Sequence, residues 1–240
     1  MKTHAGKHTK RAIILWSILV LILAVAIAFA IYVSDFYRAD SVALGVLQND
    51  PTLEVRGNLT ILNPVNANGS ALIFYPGGKV EANAYLPLLA QIAKRGITCV
   101  LVEMPFNLAV LDINAADAVY AQFPHVRRWF IGGHSLGGAM AGRYASSHAE
   151  RLSGLILLGA YRIGDFPSAR TLTIYGNLNT EVKNRVKDTE HVLEIPGGNH
   201  AQFGNYGPQR GDAPATISWQ QQQSLAVDAI AAFVREQSID

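Results

Sequence analysis

Residues 133–137 read Gly-His-Ser-Leu-Gly and match the pattern G-x-S-x-G, in which a serine lies at a sharp turn between a strand and a helix. An apolar run at 129–131 precedes the pattern, and a proline-free stretch rich in small residues follows it. This is the strand, turn and helix that the motif requires. A hydroxyl at the first turn of a helix also lies near unpaired N–H groups that stabilise negative charge. The pattern therefore predicts Ser135 as a nucleophile.

A serine hydroxyl reacts once a base removes its proton, and a histidine later in the chain could act as that base. The sequence holds seven histidines, of which His200 follows the last predicted strand, at 192–195, in a glycine-rich loop. Loops at the carboxyl ends of parallel strands carry the functional groups of open α/β sheets. We therefore predict His200 as the general base. His134, at the variable second position of the motif, is expected to have a structural role.

The negative charge that develops on a substrate carbonyl oxygen needs hydrogen-bond donors, and two stretches could supply them. The first is the backbone N–H of Leu136, directly after the serine. The second is the loop Pro-Gly-Gly-Lys at 76–79, which follows an apolar strand and whose glycines allow close approach of the backbone. We therefore expect the N–H groups of Gly78 and Lys79 to complete an oxyanion hole with that of Leu136.

Apolar runs bounded by glycine alternate with helical patterns from residue 50 onward, as in a parallel sheet covered on both faces. The fold class is therefore predicted as α/β, with a mostly parallel central sheet and helices on both faces. An alternating pattern at 53–62 predicts a hairpin. Further strands are expected at 71–75, 98–103, 128–131, 155–158, 172–175 and 192–195, and helices at 82–95, 113–122, 136–148 and 213–236.

The segment 12–33 contains no charge, and as a helix it would be about 33 Å long, enough to cross a bilayer core of about 30 Å. Basic residues without acidic ones precede it, so the positive-inside rule predicts a cytoplasmic N-terminus and an extracytoplasmic domain. A cleaved signal peptide is the alternative, because Ala28-Phe29-Ala30 resembles a cleavage site. The expected organisation is a cytoplasmic basic tail at 1–11, a transmembrane anchor at 12–33 in the cell membrane, a connector at 34–49 and a domain at 50–240.

Composition narrows the classes of function. The formal net charge is +2, but four of the 20 basic residues precede residue 12, so the rest carries 16 basic against 18 acidic residues. Such a balance gives no basic face for nucleic acid. No group of cysteine, histidine and carboxylate residues has metal-ligand spacing, so neither a metal nor a cofactor is expected. The single cysteine, Cys99, lies in an apolar run and is expected to be a buried side chain.

Four blocks of the sequence together resemble one known family. They are the strand end and loop at 75–80, the segment 104–109, the motif region at 132–138 and the segment 197–207. In this order they are similar to the blocks of a bacterial, often membrane-anchored branch of the α/β-hydrolase superfamily, the family-five type. The resemblance extends from about residue 32 to the C-terminus. It implies an α/β-hydrolase fold with Ser135 as nucleophile and His200 as general base.

One position departs from the family pattern. Relatives carry an aspartate in a segment similar to Tyr-Gly-x-x-Asp, whereas residues 175–179 of this chain read Tyr-Gly-Asn-Leu-Asn. An aspartate in this role orients the imidazole and stabilises its charged form, and exchanging it for asparagine in a serine protease lowers turnover by about 10⁴-fold. Three outcomes remain open: Asn179 orients His200 more weakly, Glu181 or Asp165 replaces the acid, or the site has lost most of its activity.

The leading hypothesis is a membrane-anchored serine hydrolase that acts on a small ester-like substrate through an acyl-enzyme on Ser135. The alternative, which Asn179 suggests, is an α/β-hydrolase domain with weakened or lost catalysis that serves as an envelope binding or scaffold protein. Besides the substrate, the expected partner is the lipid bilayer around residues 12–33, and no nucleic acid is expected.

Overall fold

The computed structural model describes residues 5–237, and the chain divides into two units between Phe36 and Tyr37. The first unit contains one helix, α1 (Ala5–Ser34). Its stretch Arg11–Ser34, 24 residues, is exposed, and it is long and apolar enough to cross a membrane. Residues 1–4 of the expected basic tail lie outside the described residues.

The second unit is built on one sheet of eight strands, in the spatial order β1-β2-β4-β3-β5-β6-β7-β8. The first two strands form an antiparallel hairpin, and β2 pairs antiparallel with β4; all the remaining pairs are parallel. The predicted mostly parallel sheet is therefore confirmed. The strands are β1 (Leu53–Arg56), β2 (Leu59–Leu62), β3 (Ser70–Tyr75), β4 (Thr98–Val102), β5 (Arg128–His134), β6 (Gly154–Leu158), β7 (Thr171–Gly176) and β8 (Val192–Ile195).

Helices cover both faces of this sheet, as the sequence predicts. The helices of the second unit are α2 (Ser41–Asn49), α3 (Leu86–Ala93), α4 (Asp117–Tyr120), α5 (Leu136–Ser147), α6 (Thr180–Lys183) and α7 (Trp219–Glu236). Successive side chains of a strand point to opposite faces. On β3, accordingly, Leu72 and Phe74 pack into the apolar cluster that contains α3 and α7, whereas Ile73 and Tyr75 pack into the cluster that contains α4 and α5.

Two of the helices that differ from their predicted bounds do so for identifiable reasons. The helix expected at 113–122 is reduced to α4, because the hydroxyl of Tyr75 donates to the carbonyl of Ile113 and accepts the N–H of Ala116, each at 2.9 Å. These bonds engage backbone groups that a longer helix would need. The closing helix begins at Trp219 rather than near 213, because Ser218 caps it in a reciprocal capping box with Gln221.

The stretch expected as a connector at 34–49 is in large part folded. Asp40 caps α2, its carboxylate accepting the N–H groups of Val42 and Ala43. The N–H of Asp40 itself donates to the carbonyl of Asn205 at 2.8 Å. Residues from Tyr37 onward thus belong to the second unit.

Candidate active site

The turn between β5 and α5 places Ser135 at the N-terminal end of α5. Ser135 has φ 52° and ψ −120°, a conformation that costs a residue with a side chain on the order of 1–3 kcal/mol. The two flanking glycines permit the turn. A Cβ on Gly133 or Gly137 would collide with the backbone of Tyr75 or Pro76 at the end of β3. The sequence motif therefore corresponds to a sharp turn that presents the serine side chain, as predicted.

Ser135 and His200 line one cavity of about 580 Å³ at the carboxyl ends of the parallel strands. His200 lies in the loop after β8, at the start of a short turn of 3₁₀ helix. Asn179, Glu181 and Asp212 line the same cavity. Within residues 5–237 no hydrogen bond joins the Ser135 and His200 side chains, and such bonds often form only when substrate is bound.

Asn179 is the side chain within hydrogen-bond distance of the His200 imidazole. Its amide nitrogen Nδ2 lies 2.6 Å from Nδ1 of His200. The other ring nitrogen, Nε2, is the one that a general base would use to accept the serine proton. Asn179 also precedes α6 and caps it, with Oδ1 accepting the N–H of Val182 at 3.3 Å. The residue that stands where the family pattern has its acid is therefore within hydrogen-bond distance of the imidazole.

The two alternative acids lie elsewhere. The Glu181 side chain is 75% exposed and forms an ion pair with Arg185 at 3.2 Å, although it lines the cavity. Asp165 is exposed, lies outside the cavity lining, and acts electrostatically on Arg162. In the described part of the chain neither carboxylate forms a hydrogen bond with His200. We therefore keep Asn179 as the proposed orienting residue.

Asp212 is a further residue of this site, which the sequence reasoning missed. Its carboxylate accepts the backbone N–H of His200 at 3.1 Å and that of Ala201 at 2.8 Å. These two bonds fix the loop that carries the imidazole. Asp212 follows a glycine in a stretch without a motif, so only the folded structure connects it with His200.

The charge state of His200 reflects two opposing influences. Burial lowers the pKa of His200 below the ordinary histidine value of about 6.5. The negative charges of Asp212 and Glu181 act in the opposite direction without cancelling the effect of burial. The lowered pKa of His200 favours the neutral imidazole at pH 7, which is the charge state a general base needs.

His134 connects the two loops that flank the serine. Its Nδ1 lies 2.7 Å from the hydroxyl of Tyr85, which accepts the N–H of Gly77 at 3.1 Å. Its Nε2 lies 3.0 Å from the carbonyl oxygen of His200, and the two imidazole rings are 4.5 Å apart. These contacts describe the structural role expected of His134. Its side chain joins the loop after β3, through Tyr85, to the loop after β8.

His134 also makes the stability of the domain depend on pH. Burial, and then the nearby His200, hold the pKa of His134 well below about 6.5, so the folded state binds fewer protons than the unfolded state below that pH. We expect the free energy of unfolding to fall by up to about 1.4 kcal/mol per pH unit from this group as the pH drops below 6.5. Urea unfolding at pH 7.5, 6.5 and 5.5 measures it. The His134→Gln variant should show a shallower loss, and an equal slope in both proteins would contradict the assignment.

Of the two N–H groups in the loop at 76–79 that we expected as oxyanion donors, one lacks an acceptor among residues 5–237. The N–H of Gly77 donates to Tyr85, and that of Lys79 donates to the carbonyl of Asn107 at 2.8 Å. The N–H of Lys79 therefore already has an acceptor, contrary to the expectation that it would stabilise the oxyanion. The N–H groups of Gly78 and Leu136 have no acceptor among residues 5–237. These two residues are also neighbours, since a Cβ on Gly78 would lie 2.8 Å from a methyl group of Leu136.

The predicted burial of Cys99 is confirmed, because the side chain on β4 is fully buried. Burial raises the pKa of its thiol, so the thiolate that nucleophilic chemistry requires is disfavoured. Cys99 is a packing residue of the apolar cluster around α3 and α7.

A mostly parallel sheet with a strained serine between strand and helix and a histidine after the last strand defines the α/β-hydrolase class. The sequence profile of the alpha/beta hydrolase family matches residues 71–224, and the chain belongs to this family. A putative non-heme haloperoxidase of Mycobacterium phage D29 is 27% identical over 101 residues, which cover 38% of this chain and 36% of that relative. The match thus spans about a third of the length of the viral protein.

Solved structures show the same fold. A putative lipase from Acinetobacter baumannii has a TM-score of 0.56 at 11% identity, with 83% of this chain and 97% of the lipase covered. Est1E from Butyrivibrio proteoclasticus has a TM-score of 0.52 at 14% identity, with coverage of 78% and 98%. A ferulic acid esterase from Streptomyces cinnamoneus gives 0.51 at 17% identity, with coverage of 72% and 68%. Together with the family match, this likeness supports a hydrolase.

Proposed function

We propose that this chain is a membrane-anchored serine hydrolase that cleaves a small ester-like substrate through an acyl-enzyme on Ser135. The observation that carries the proposal is the shared cavity, in which a serine in a strained turn lies with His200. Membership of the α/β-hydrolase family supports the class of reaction. The apolar helix α1 supports a single-pass anchor, and the basic residues before the segment 12–33 support a cytoplasmic N-terminus with the domain outside.

In the proposed reaction, Oγ of Ser135 bonds to the carbonyl carbon of the ester while its proton moves to Nε2 of His200. The carbonyl π electrons move onto the oxygen, and the N–H groups of Leu136 and Gly78 stabilise the resulting oxyanion. When the carbonyl re-forms, the alcohol leaves and takes the proton from Nε2. A water molecule then repeats the sequence on the acyl-enzyme, which releases the acid and restores Ser135.

The second candidate function is an envelope binding or scaffold domain whose catalysis is weakened or lost. The observation in its favour is the group beside Nδ1 of His200, which is an amide and not a carboxylate. An amide cannot compensate the positive charge that the imidazole acquires in the transition state. On this reading the cavity would retain a ligand that it turns over slowly or not at all.

The test is hydrolysis of p-nitrophenyl butyrate by the full chain in detergent micelles. We expect slow turnover that is lost in Ser135→Ala, because this variant lacks the hydroxyl that forms the acyl-enzyme. Ser147→Ala is the matched control, since Ser147 is exposed on the same helix and should leave the rate unchanged. Equal rates in wild type and Ser135→Ala would refute the hydrolase proposal, and absence of turnover together with ligand-stabilised folding would favour the binding domain.

A further inference from the structure

The amide group of Asn179 lies between two partners of different kinds. On one side its Oδ1 is 3.3 Å from the backbone nitrogen of Val182, and on the other its Nδ2 is 2.6 Å from Nδ1 of His200. Asn179 is itself largely buried. Each end of the amide therefore has one protein partner, and the two contacts together decide which way the amide faces.

The partner at Val182 fixes the orientation of the amide. A backbone N–H can only donate a hydrogen bond, so it needs the amide oxygen and would be repelled by the amide NH₂. Because Oδ1 faces Val182, the NH₂ group faces the imidazole. An amide NH₂ in turn can only donate, so Nδ1 of His200 must accept. A neutral imidazole carries a single proton, and with Nδ1 as acceptor that proton resides on Nε2.

We infer that Asn179, held by the N–H of Val182, keeps His200 in the tautomer that carries its proton on Nε2. This inference rests on the proposed function, because it concerns the base of the same site. Nε2 is the atom that should receive the Ser135 proton, and in this tautomer it has no free electron pair. Asn179 is thus a positioning residue that restrains the base, and not merely a weaker substitute for an aspartate.

The productive tautomer requires a rearrangement that the surroundings oppose. If the proton moved to Nδ1, it would point at the NH₂ of Asn179, and relief would require the amide to turn over. That turn would place the NH₂ against the N–H of Val182 and abolish the cap of α6. The charged imidazolium, which carries protons on both nitrogens, meets the same donor. Both the activation of Ser135 and the stabilisation of the transition state are therefore weakened.

The nearby carboxylates do not relieve this restraint. Asp212 is engaged by the backbone N–H groups of His200 and Ala201, and Glu181 is paired with Arg185 at the surface. On the side of Nδ1, Gly159 packs closely, since a Cβ there would lie 3.0 Å from this atom. Asn179 is the hydrogen-bond partner that the described residues provide for Nδ1.

An aspartate would remove the restraint without changing the shape of the site. One carboxylate oxygen could accept the N–H of Val182 and the other the Nδ1–H of His200, because both oxygens are acceptors. The cap of α6 would remain, and the proton would move from Nε2 to Nδ1. Asn179→Asp is therefore expected to switch the tautomer, whereas a charge placed close by without contact to His200 is not.

The tautomer can be read directly by nitrogen NMR of the full chain in detergent micelles with ¹⁵N-labelled histidine. At a pH above the pKa of His200, correlations through two and three bonds distinguish a protonated from an unprotonated ring nitrogen, and His200→Gln assigns the signals by their loss. We expect protonated Nε2 and unprotonated Nδ1 in wild type, and the reverse in Asn179→Asp. Asn177→Asp is the matched control, because Asn177 uses its Oδ1 to accept the N–H of Gly197 and should leave the wild-type pattern.

Protonated Nδ1 in the wild-type chain would overturn the inference, even if the chain hydrolyses esters through Ser135. An unchanged tautomer in Asn179→Asp would overturn it as well. If the tautomers are as expected but neither protein shows Ser135-dependent hydrolysis, the inference stands and the proposed function fails. The spectrum and the hydrolysis assay therefore separate the two claims.

Discussion

Replacing Asn179 with aspartate is expected to raise kcat/KM for p-nitrophenyl butyrate at least tenfold and by up to about 10⁴-fold, the size of the reverse exchange in a serine protease. The carboxylate would accept the proton on Nδ1 of His200, leave Nε2 free as a base, and compensate the charge of the imidazolium. Initial rates at several substrate concentrations measure the effect. We expect it mainly in kcat, because the interaction strengthens in the transition state.

The control for this gain is a charge at a neighbouring position. Asn177→Asp adds the same charge two residues away, and its carboxylate can still accept the N–H of Gly197. It should change kcat/KM less than twofold. No gain in Asn179→Asp would contradict the role of this position and shift weight to Glu181 or Asp165. A loss of rate in Glu181→Gln or in Asp165→Asn would then identify the acid.

The gain from Asn179→Asp is expected to disappear when His200 is also changed. In the double variant Asn179→Asp, His200→Gln, kcat/KM should fall by about 10²- to 10⁴-fold relative to Asn179→Asp alone, since the general base is removed. The carboxylate acts through the imidazole that it contacts, so without that ring it has nothing to orient. A double-mutant cycle of the four proteins should therefore show strong coupling.

The cycle distinguishes this account from a general electrostatic effect of the new charge. If the carboxylate acted by attracting substrate or by stabilising the fold, its gain would persist in the His200→Gln background. Additive effects of the two substitutions would contradict the contact that we assign to Asn179 and His200. Urea unfolding of all four proteins should show that the double variant remains folded.

The sheet and the serine turn could be predicted because their signals are local. The glycines at 133 and 137 are required because the backbone of Tyr75 and Pro76 passes close by. This steric requirement is visible in the sequence as the five-residue motif at 133–137. The strands could likewise be located from short apolar runs bounded by glycine. The reduction of the predicted helix at 113–122 could not be foreseen, because its cause is the hydroxyl of Tyr75, some 40 positions earlier.

Within the site, the sequence identifies residue types and the folded structure supplies their partners. A motif predicts Ser135 and a position in the chain predicts His200, and both residues line one cavity. The commitment of the Lys79 N–H to Asn107 depends on contact between two loops, as does the bond from Asp212 to the His200 backbone. Neither contact leaves a pattern in the sequence.

The most direct test of the central claim is peptide mapping of the full chain after reaction with a fluorophosphonate, which modifies an activated serine irreversibly. We expect one phosphonate per chain, on the peptide that carries Ser135, with slow labelling in wild type and faster labelling in Asn179→Asp. Ser135→Ala should remain unlabelled. Labelling at another residue, or no Ser135 adduct in either protein, would contradict the assignment of Ser135 as the nucleophile.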